Sequence, residues 1–197
     1  MMKLISALGV FLATIALTGI TSHAAFSAVD KVISVPGADQ AQLSEKVKSW
    51  AGMYGRSNNV DDKTGMVVVS GEISYPSPPA DRIQYTILFE MKNKIEGNKD
   101  TVTFDKVMLK SPVRYVSSDA NERMESKTSA IENGKDTAAA DKALSRITGN
   151  LEAYLLGKSD TASTLFKCAD CAVLSPTEGE LKEHMKIHSG GESPPAK

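Results

Sequence analysis

The sequence predicts an α+β fold with one antiparallel sheet and helices on one face. Several segments of strand length alternate apolar and polar residues, as strands with one buried face do. Two longer segments repeat apolar residues every three or four positions, which is typical of amphipathic helices. The order is strand, helix, several strands, helix. This order favours an antiparallel sheet because the strands do not alternate with helices.

The first predicted elements are a strand at residues 27–35 and a helix from Asp39 to about Tyr54. Pro36 and Gly37 end the strand, and Asp39 is a suitable helix cap. The predicted buried face of the helix carries Leu43, Val47 and Trp50.

Three further strands are predicted at residues 66–73, 82–92 and 101–109. A turn at residues 61–65 precedes the first of them, and a polar loop at residues 94–100 joins the other two. Residues 117–137 are polar and predict a linker, with a solvated helix as the alternative. A second helix at residues 138–156 follows. Its apolar stripe contains Leu144, Ile147, Leu151 and Leu155.

The chain has three histidines and two cysteines, and four of these five residues form one motif near the C-terminus. Cys168, Cys171, His184 and His188 have the spacing C-x2-C-x12-H-x3-H, which predicts a zinc site. Histidines four positions apart lie on the same face of a helix. Two thiolates and two imidazoles form the closed tetrahedral set that Zn²⁺ prefers.

The segment around this motif resembles the two-cysteine two-histidine zinc finger, a ββα module. Phe166, Leu181 and the four ligands match the pattern of that family, whereas Ser175 stands where a central aromatic is usual. We expect a helix capped near Ser175 and Pro176, with a module core of Phe166, Leu174 and Leu181. Two alternatives stay open for Cys168 and Cys171, a disulfide and a redox pair. The sequence lacks the βαβ pattern expected of a redox pair.

The N-terminus predicts a cleavable secretory signal peptide. Lys3 precedes the nearly uninterrupted apolar segment 4–20, and Ser22 and Ala24 fit a cleavage site after Ala24. The protein would then be periplasmic or secreted. The alternative is an uncleaved membrane anchor. Export would place the two thiols in an oxidising compartment, where zinc-bound thiolates are unusual.

Residues 29–113 resemble a bacterial family of domains of unknown function with a fold like that of the TATA-box-binding protein. The residues that carry this resemblance are Val35-Pro36-Gly37, Trp50, Asp61-x3-Gly65, Val67-x-Val69-x-Gly71 and Ile83-x-Tyr85. The resemblance implies a TBP-like fold and export, and it implies no activity.

An enzyme is disfavoured because residues 25–167 contain no histidine or cysteine to act as a base. Four protein ligands would also leave zinc no open position for catalysis.

Nucleic-acid binding is disfavoured as well. The base-reading positions of a finger helix fall on Thr177, Glu180 and Glu183, and residues 166–192 carry three lysines against five acids.

We therefore expect an exported, non-enzymatic binding or structural protein with a zinc-stapled module and either a protein partner or none. Membrane association is expected only if the N-terminal segment is uncleaved. The alternatives are an intracellular nucleic-acid-binding zinc-finger protein and an envelope protein with a C-x2-C disulfide. The expected divisions are a signal peptide (1–24), an α+β domain (25–116), a polar linker (117–137), a packing helix (138–157), a zinc-finger module (165–189) and a flexible tail (190–197).

Overall fold

The computed structural model describes most of the chain beyond the predicted signal peptide. The described residues are 28–61, 64–76, 78, 84–112, 114–118, 121–131, 134–158 and 164–189. The predicted signal peptide and the predicted tail lie outside them. The helices are α1 (Gln40–Tyr54), α2 (Gly134–Leu155) and α3 (Glu178–His188). The strands are β1 (Ala28–Ser34), β2 (Ser57–Asp61), β3 (Met66–Ser74), β4 (Thr86–Glu96), β5 (Lys99–Lys110), β6 (Arg114–Ser118), β7 (Asn121–Glu125), β8 (Thr128–Ala130), β9 (Phe166–Lys167) and β10 (Leu174–Ser175).

The main sheet has eight strands, and its central order is β1-β5-β4-β3-β10-β9. Strand β2 pairs with β3, and β8 pairs with β5. The α+β class is confirmed. The sheet is mixed rather than wholly antiparallel, because β10 runs parallel to β3. The sequence could not show this pairing, since a two-residue strand has no measurable alternation.

Helices α1 and α2 pack on the sheet face that carries Val67, Val69 and Ile73, and together they form one hydrophobic core. The predicted apolar faces of both helices are buried in it. Asp39 caps α1 as predicted, because its side chain accepts a hydrogen bond from the Gln42 backbone N–H. Trp50 donates its indole N–H to Asn150 Oδ1 at 2.7 Å, which ties α1 to α2 inside the core.

The segment predicted as a polar loop at residues 94–100 belongs largely to strands. Strand β4 continues to Glu96, β5 begins at Lys99, and a two-residue turn joins them. The prediction was wrong because the alternation continues into this segment, where Ile95 is buried. Asp100 is fully buried as well, and neither of its carboxylate oxygens has a hydrogen-bond partner in the described part of the chain.

The residues predicted as a polar linker, 117–137, also contain regular structure. Strands β6 and β7 pair with each other, and β8 pairs with β5. Helix α2 begins at Gly134, four residues before the predicted start. The three residues of β8 are all exposed, so no buried face marks this strand in the sequence.

The C-terminal segment is joined to the main sheet. Leu174 on β10 pairs with Ile73 on β3, and its side chain is completely buried in the core under α1 and α2. Leu174 was predicted to pack inside a separate module, and this is corrected. Leu165 is also part of the main core. Lys167 Nζ donates to the backbone oxygens of Met53 and Gly55 at 2.9 and 3.0 Å, at the C-terminal end of α1.

Gly71 is where a side chain would be most disruptive. A Cβ atom there would lie 2.2 Å from Cζ of Phe89, the residue that pairs with Gly71 across β3 and β4. Phe89 also packs edge-on against Phe104, with ring centroids 5.9 Å apart. The ring therefore occupies the space that any larger residue at position 71 would need.

We expect Gly71→Ala to lower the free energy of unfolding by about 1–3 kcal/mol, the usual cost of an overpacked core. Urea unfolding followed by circular dichroism measures this. Gly52→Ala is the matched control, because nothing lies within 4 Å of a Cβ at this position in α1. This control should gain up to about 1 kcal/mol from helix propensity. An unchanged free energy of unfolding in Gly71→Ala would show that the Phe89 ring can move without cost.

In the described part of the chain, none of the helices has the length and apolar character needed to cross a bilayer.

Candidate metal site

The two cysteines lie in the turn between β9 and β10. The Cys168 backbone N–H donates to Val173 O at 2.9 Å, and the Ala172 N–H donates to Cys168 O at 3.0 Å. Ala172 has a φ of +61°, in the left-handed region that costs a residue with a Cβ roughly 1–2 kcal/mol. These bonds fold the turn back on itself, and both thiols then face α3.

Helix α3 carries the two histidines. Its N-cap is Thr177, whose Oγ1 accepts a hydrogen bond from the Glu180 N–H at 3.1 Å. The predicted cap near Ser175 and Pro176 was wrong, because Ser175 is fully buried in β10. The described elements β9, β10 and α3 follow one another as strand, strand, helix.

The four predicted ligands converge. One ligand atom from each of Cys168, Cys171, His184 and His188 lies within 4.8 Å of all the others. Nε2 of His184 is 3.0 Å from Sγ of Cys171 and 3.2 Å from Nε2 of His188. The four residues therefore lie close enough together to bind a metal ion.

These distances suit a small tetrahedral ion. Zinc bonds of about 2.0–2.1 Å to nitrogen and about 2.3 Å to sulfur place two nitrogens about 3.4 Å apart, and a sulfur and a nitrogen about 3.6 Å apart. The observed separations of 3.2 and 3.0 Å are shorter than these values by about 0.2 and 0.6 Å. A small outward shift of His184 from Cys171 would admit the ion.

The site is graded from buried to exposed. Cys168 is buried, Cys171 and His184 are half-buried, and His188 is exposed at the end of α3. Burial lowers the pKa of His184, with help from neighbouring His188, and so favours the neutral imidazole that a metal needs. Burial raises the pKa of Cys171, and contact with Cys168 adds to this rise. Both cysteines are free thiols, so metal binding must displace their protons.

Sequence reasoning missed a buried carboxylate beside the site. Glu72 on β3 is 2 % exposed, next in sequence to the Ile73 that pairs with β10. It accepts hydrogen bonds from Arg56, Thr86 and Lys110. Strand alternation alone places Glu72 on the face away from α1 and α2, which predicts an exposed side chain. No signal in the sequence shows that another segment covers this face.

Two solved structures are similar to this chain. One is a TBP-like protein from Parabacteroides distasonis ATCC 8503, with a TM-score of 0.49 and 8 % identity over 66 % of this chain and 93 % of that chain. The other is a DUF4468 family protein from Bacteroides ovatus ATCC 8483, with a TM-score of 0.46 and 14 % identity over 68 % of this chain and 87 % of that chain. No family model matches the sequence, and the search of curated proteins gives no significant match.

Proposed function

We propose that this chain is an exported, non-enzymatic binding or structural protein whose C-terminal module is a zinc finger held together by one Zn²⁺. The observation that carries the proposal is the convergence of Cys168, Cys171, His184 and His188 within 4.8 Å. Two thiolates and two imidazoles are typical of structural zinc sites, and four protein ligands leave no position for a reacting water. The proposed role of the metal is therefore to hold β9, β10 and α3 together.

The exposed surface of α3 does not favour nucleic acid. Glu178 pairs with Lys182 at 2.9 Å and Glu183 pairs with Lys186 at 2.6 Å, so both lysines of this helix are neutralised by neighbouring acids. Phosphate binding needs lysines and arginines that are free to replace counterions. A protein partner, or none, fits this helix better.

We expect the purified protein to contain one zinc ion per chain, and His184→Ala to lose most of it. His184 has close contacts with both Cys171 and His188, so its removal opens the centre of the ligand set. Native mass spectrometry measures the zinc content, and thiol labelling under denaturing conditions measures the state of the cysteines. Lys186→Ala, on the same helix and exposed, is the matched control and should keep the metal.

The same spectra test the alternative disulfide. A mass two hydrogens below that of the reduced chain, with no bound metal, would show that Cys168 and Cys171 form a disulfide and do not bind zinc.

The N-terminal residue of protein recovered from its native cell tests export. Ala25 is the expected first residue, and an intact Met1 on protein recovered from the cytoplasm would contradict export.

A further inference from the structure

The two cysteines of the metal site are the only two in the chain. Both are free thiols, and their sulfur atoms lie within 4.8 Å of each other. The hydrogen bonds that close their turn join Cys168 to Ala172 and Val173, so the approach of the two sulfurs does not depend on α3. The sulfurs need to move by at most about 2.8 Å to reach the disulfide bond length of about 2.05 Å. The same pair can therefore bind zinc as thiolates or form a disulfide, and each state excludes the other.

The two thiols differ in their access to solvent. Cys168 is 2 % exposed, whereas Cys171 is half-buried. A small oxidant dissolved in water therefore reaches the sulfur of Cys171 first. Cys168 then lies beside the oxidised sulfur, in the position of a resolving cysteine.

Helix α3 has little attachment apart from its two histidines. None of its eleven described residues is buried. Of its three apolar side chains, Leu181 is half-buried, and Met185 and Ile187 are each 47 % exposed. A helix of this length is marginal in water unless packing or ligation holds it. Loss of a metal ion bound by His184 and His188 would therefore release α3 from the cysteine turn.

We propose that the metal site is a redox switch, in which a peroxide oxidises first Cys171 and then Cys168 to a disulfide, the zinc ion leaves and α3 is released. This inference rests on the proposed zinc site. It adds a second, metal-free state of the same four residues and names the chemical class of the signal that produces it.

The reaction balances with hydrogen peroxide as the oxidant. The Cys171 thiolate attacks one peroxide oxygen, the O–O bond breaks, and a sulfenic acid and a hydroxide form. The Cys168 thiolate then attacks the sulfur of Cys171, and a second hydroxide leaves as the S–S bond forms. The two thiolates lose two electrons, the peroxide gains them, and two protons from solvent convert the hydroxides to water. Zn²⁺ leaves because the thiolate is the metal ligand and the disulfide carries no charge.

The full chain, reduced and loaded with Zn²⁺, tests the proposal when hydrogen peroxide is added. A chromophoric chelator measures the released zinc, and alkylation under denaturing conditions counts the free thiols. We expect one zinc ion to be released for each pair of thiols lost, and zinc binding to return after reduction with a phosphine. Trypsin should then cut after Lys182 and Lys186 of α3 in the oxidised chain only. The same sample without peroxide is the control and should keep its zinc.

Two matched variants test the order of the steps in reduced chains. Cys168→Ser keeps the more exposed thiol, so peroxide should produce a sulfenic acid at Cys171 that dimedone traps. Cys171→Ser keeps the buried thiol and should react much more slowly. Equal rates in the two variants would contradict the assignment of Cys171 as the first site of attack.

Three outcomes would overturn the switch and leave the metal site in place. They are zinc that stays bound after peroxide, zinc that is released without a disulfide, and disulfides that form between chains instead of within one. If the reduced chain bound no Zn²⁺ before peroxide was added, the metal site itself would be refuted, and the switch with it.

Discussion

A chain that ends after Lys158 is expected to lose most of the stability of the whole protein. The truncation removes Leu165 and Leu174, both buried in the core under α1 and α2. Emptying one buried leucine site costs about 2–5 kcal/mol, so two such losses approach the entire stability of an ordinary domain. The truncation also removes Lys167, which donates to the carbonyl oxygens at the end of α1.

Thermal unfolding followed by circular dichroism measures this effect, with a chain ending after Ser189 as the control. That control keeps every residue the structure describes. The sequence predicts instead that residues 29–113 fold without the C-terminal segment, so that a chain ending near Gly157 should still melt cooperatively in the presence of a chelator. The two expectations are therefore opposite. A truncated chain that melts cooperatively at the temperature of the control would support the independent domain and contradict the role of Leu174.

The second large effect expected is a loss of stability as the pH rises through the acid range, caused by Asp100. Burial raises the pKa of Asp100 from its ordinary 3.8 to about 7. The folded state therefore binds a proton more readily than the unfolded state, and the slope of stability against pH is negative between about 4 and 7. A pKa shift of this size lowers the free energy of unfolding by at most about 4 kcal/mol at neutral pH.

Asp100→Asn should remove this slope, because an amide stays neutral at every pH. We expect the variant to be more stable than the unaltered chain at pH 8 and to approach it near pH 4. Urea unfolding at a series of pH values measures the difference between the two proteins. Asp105→Asn is the control, since Asp105 is half-exposed and pairs with Lys92. A parallel pH dependence in the unaltered chain and in the Asp100→Asn variant would show that the pKa of Asp100 is the same in the folded and unfolded states.

The parts of the fold that could be predicted from the sequence are those with a clear period. Helix α1, with its Asp39 cap and buried Trp50, and the apolar stripe of α2 are examples. The convergence of Cys168, Cys171, His184 and His188 could be predicted because a C-x2-C and an H-x3-H spacing place the side chains together in a turn and on one helix face. Neither inference needed knowledge of how distant segments pack.

The contacts between distant segments could not be predicted. The pairing of Leu174 with Ile73 joins residues about a hundred positions apart through β10, a two-residue strand that has no periodic signal. The burial of Glu72 was missed for a similar reason, because its partners Arg56, Thr86 and Lys110 come from other segments of the chain. Polar strands such as β8 were missed because hydrophobic alternation is the basis of strand prediction, and all three residues of β8 are exposed.

The way in which β2 and β10 share one edge of β3 has a consequence for the protein without metal. Strand β2 covers the edge from Met66 to Ser70, and β10 covers it at Ile73. If α3 and the cysteine turn came loose, the backbone groups and apolar side chains at that end of β3 would become available to another chain. Open edges of this kind promote aggregation through intermolecular strand pairing. If the proposed zinc ion is bound, its removal by a chelator is therefore expected to produce concentration-dependent association, measurable by light scattering, instead of a stable metal-free monomer.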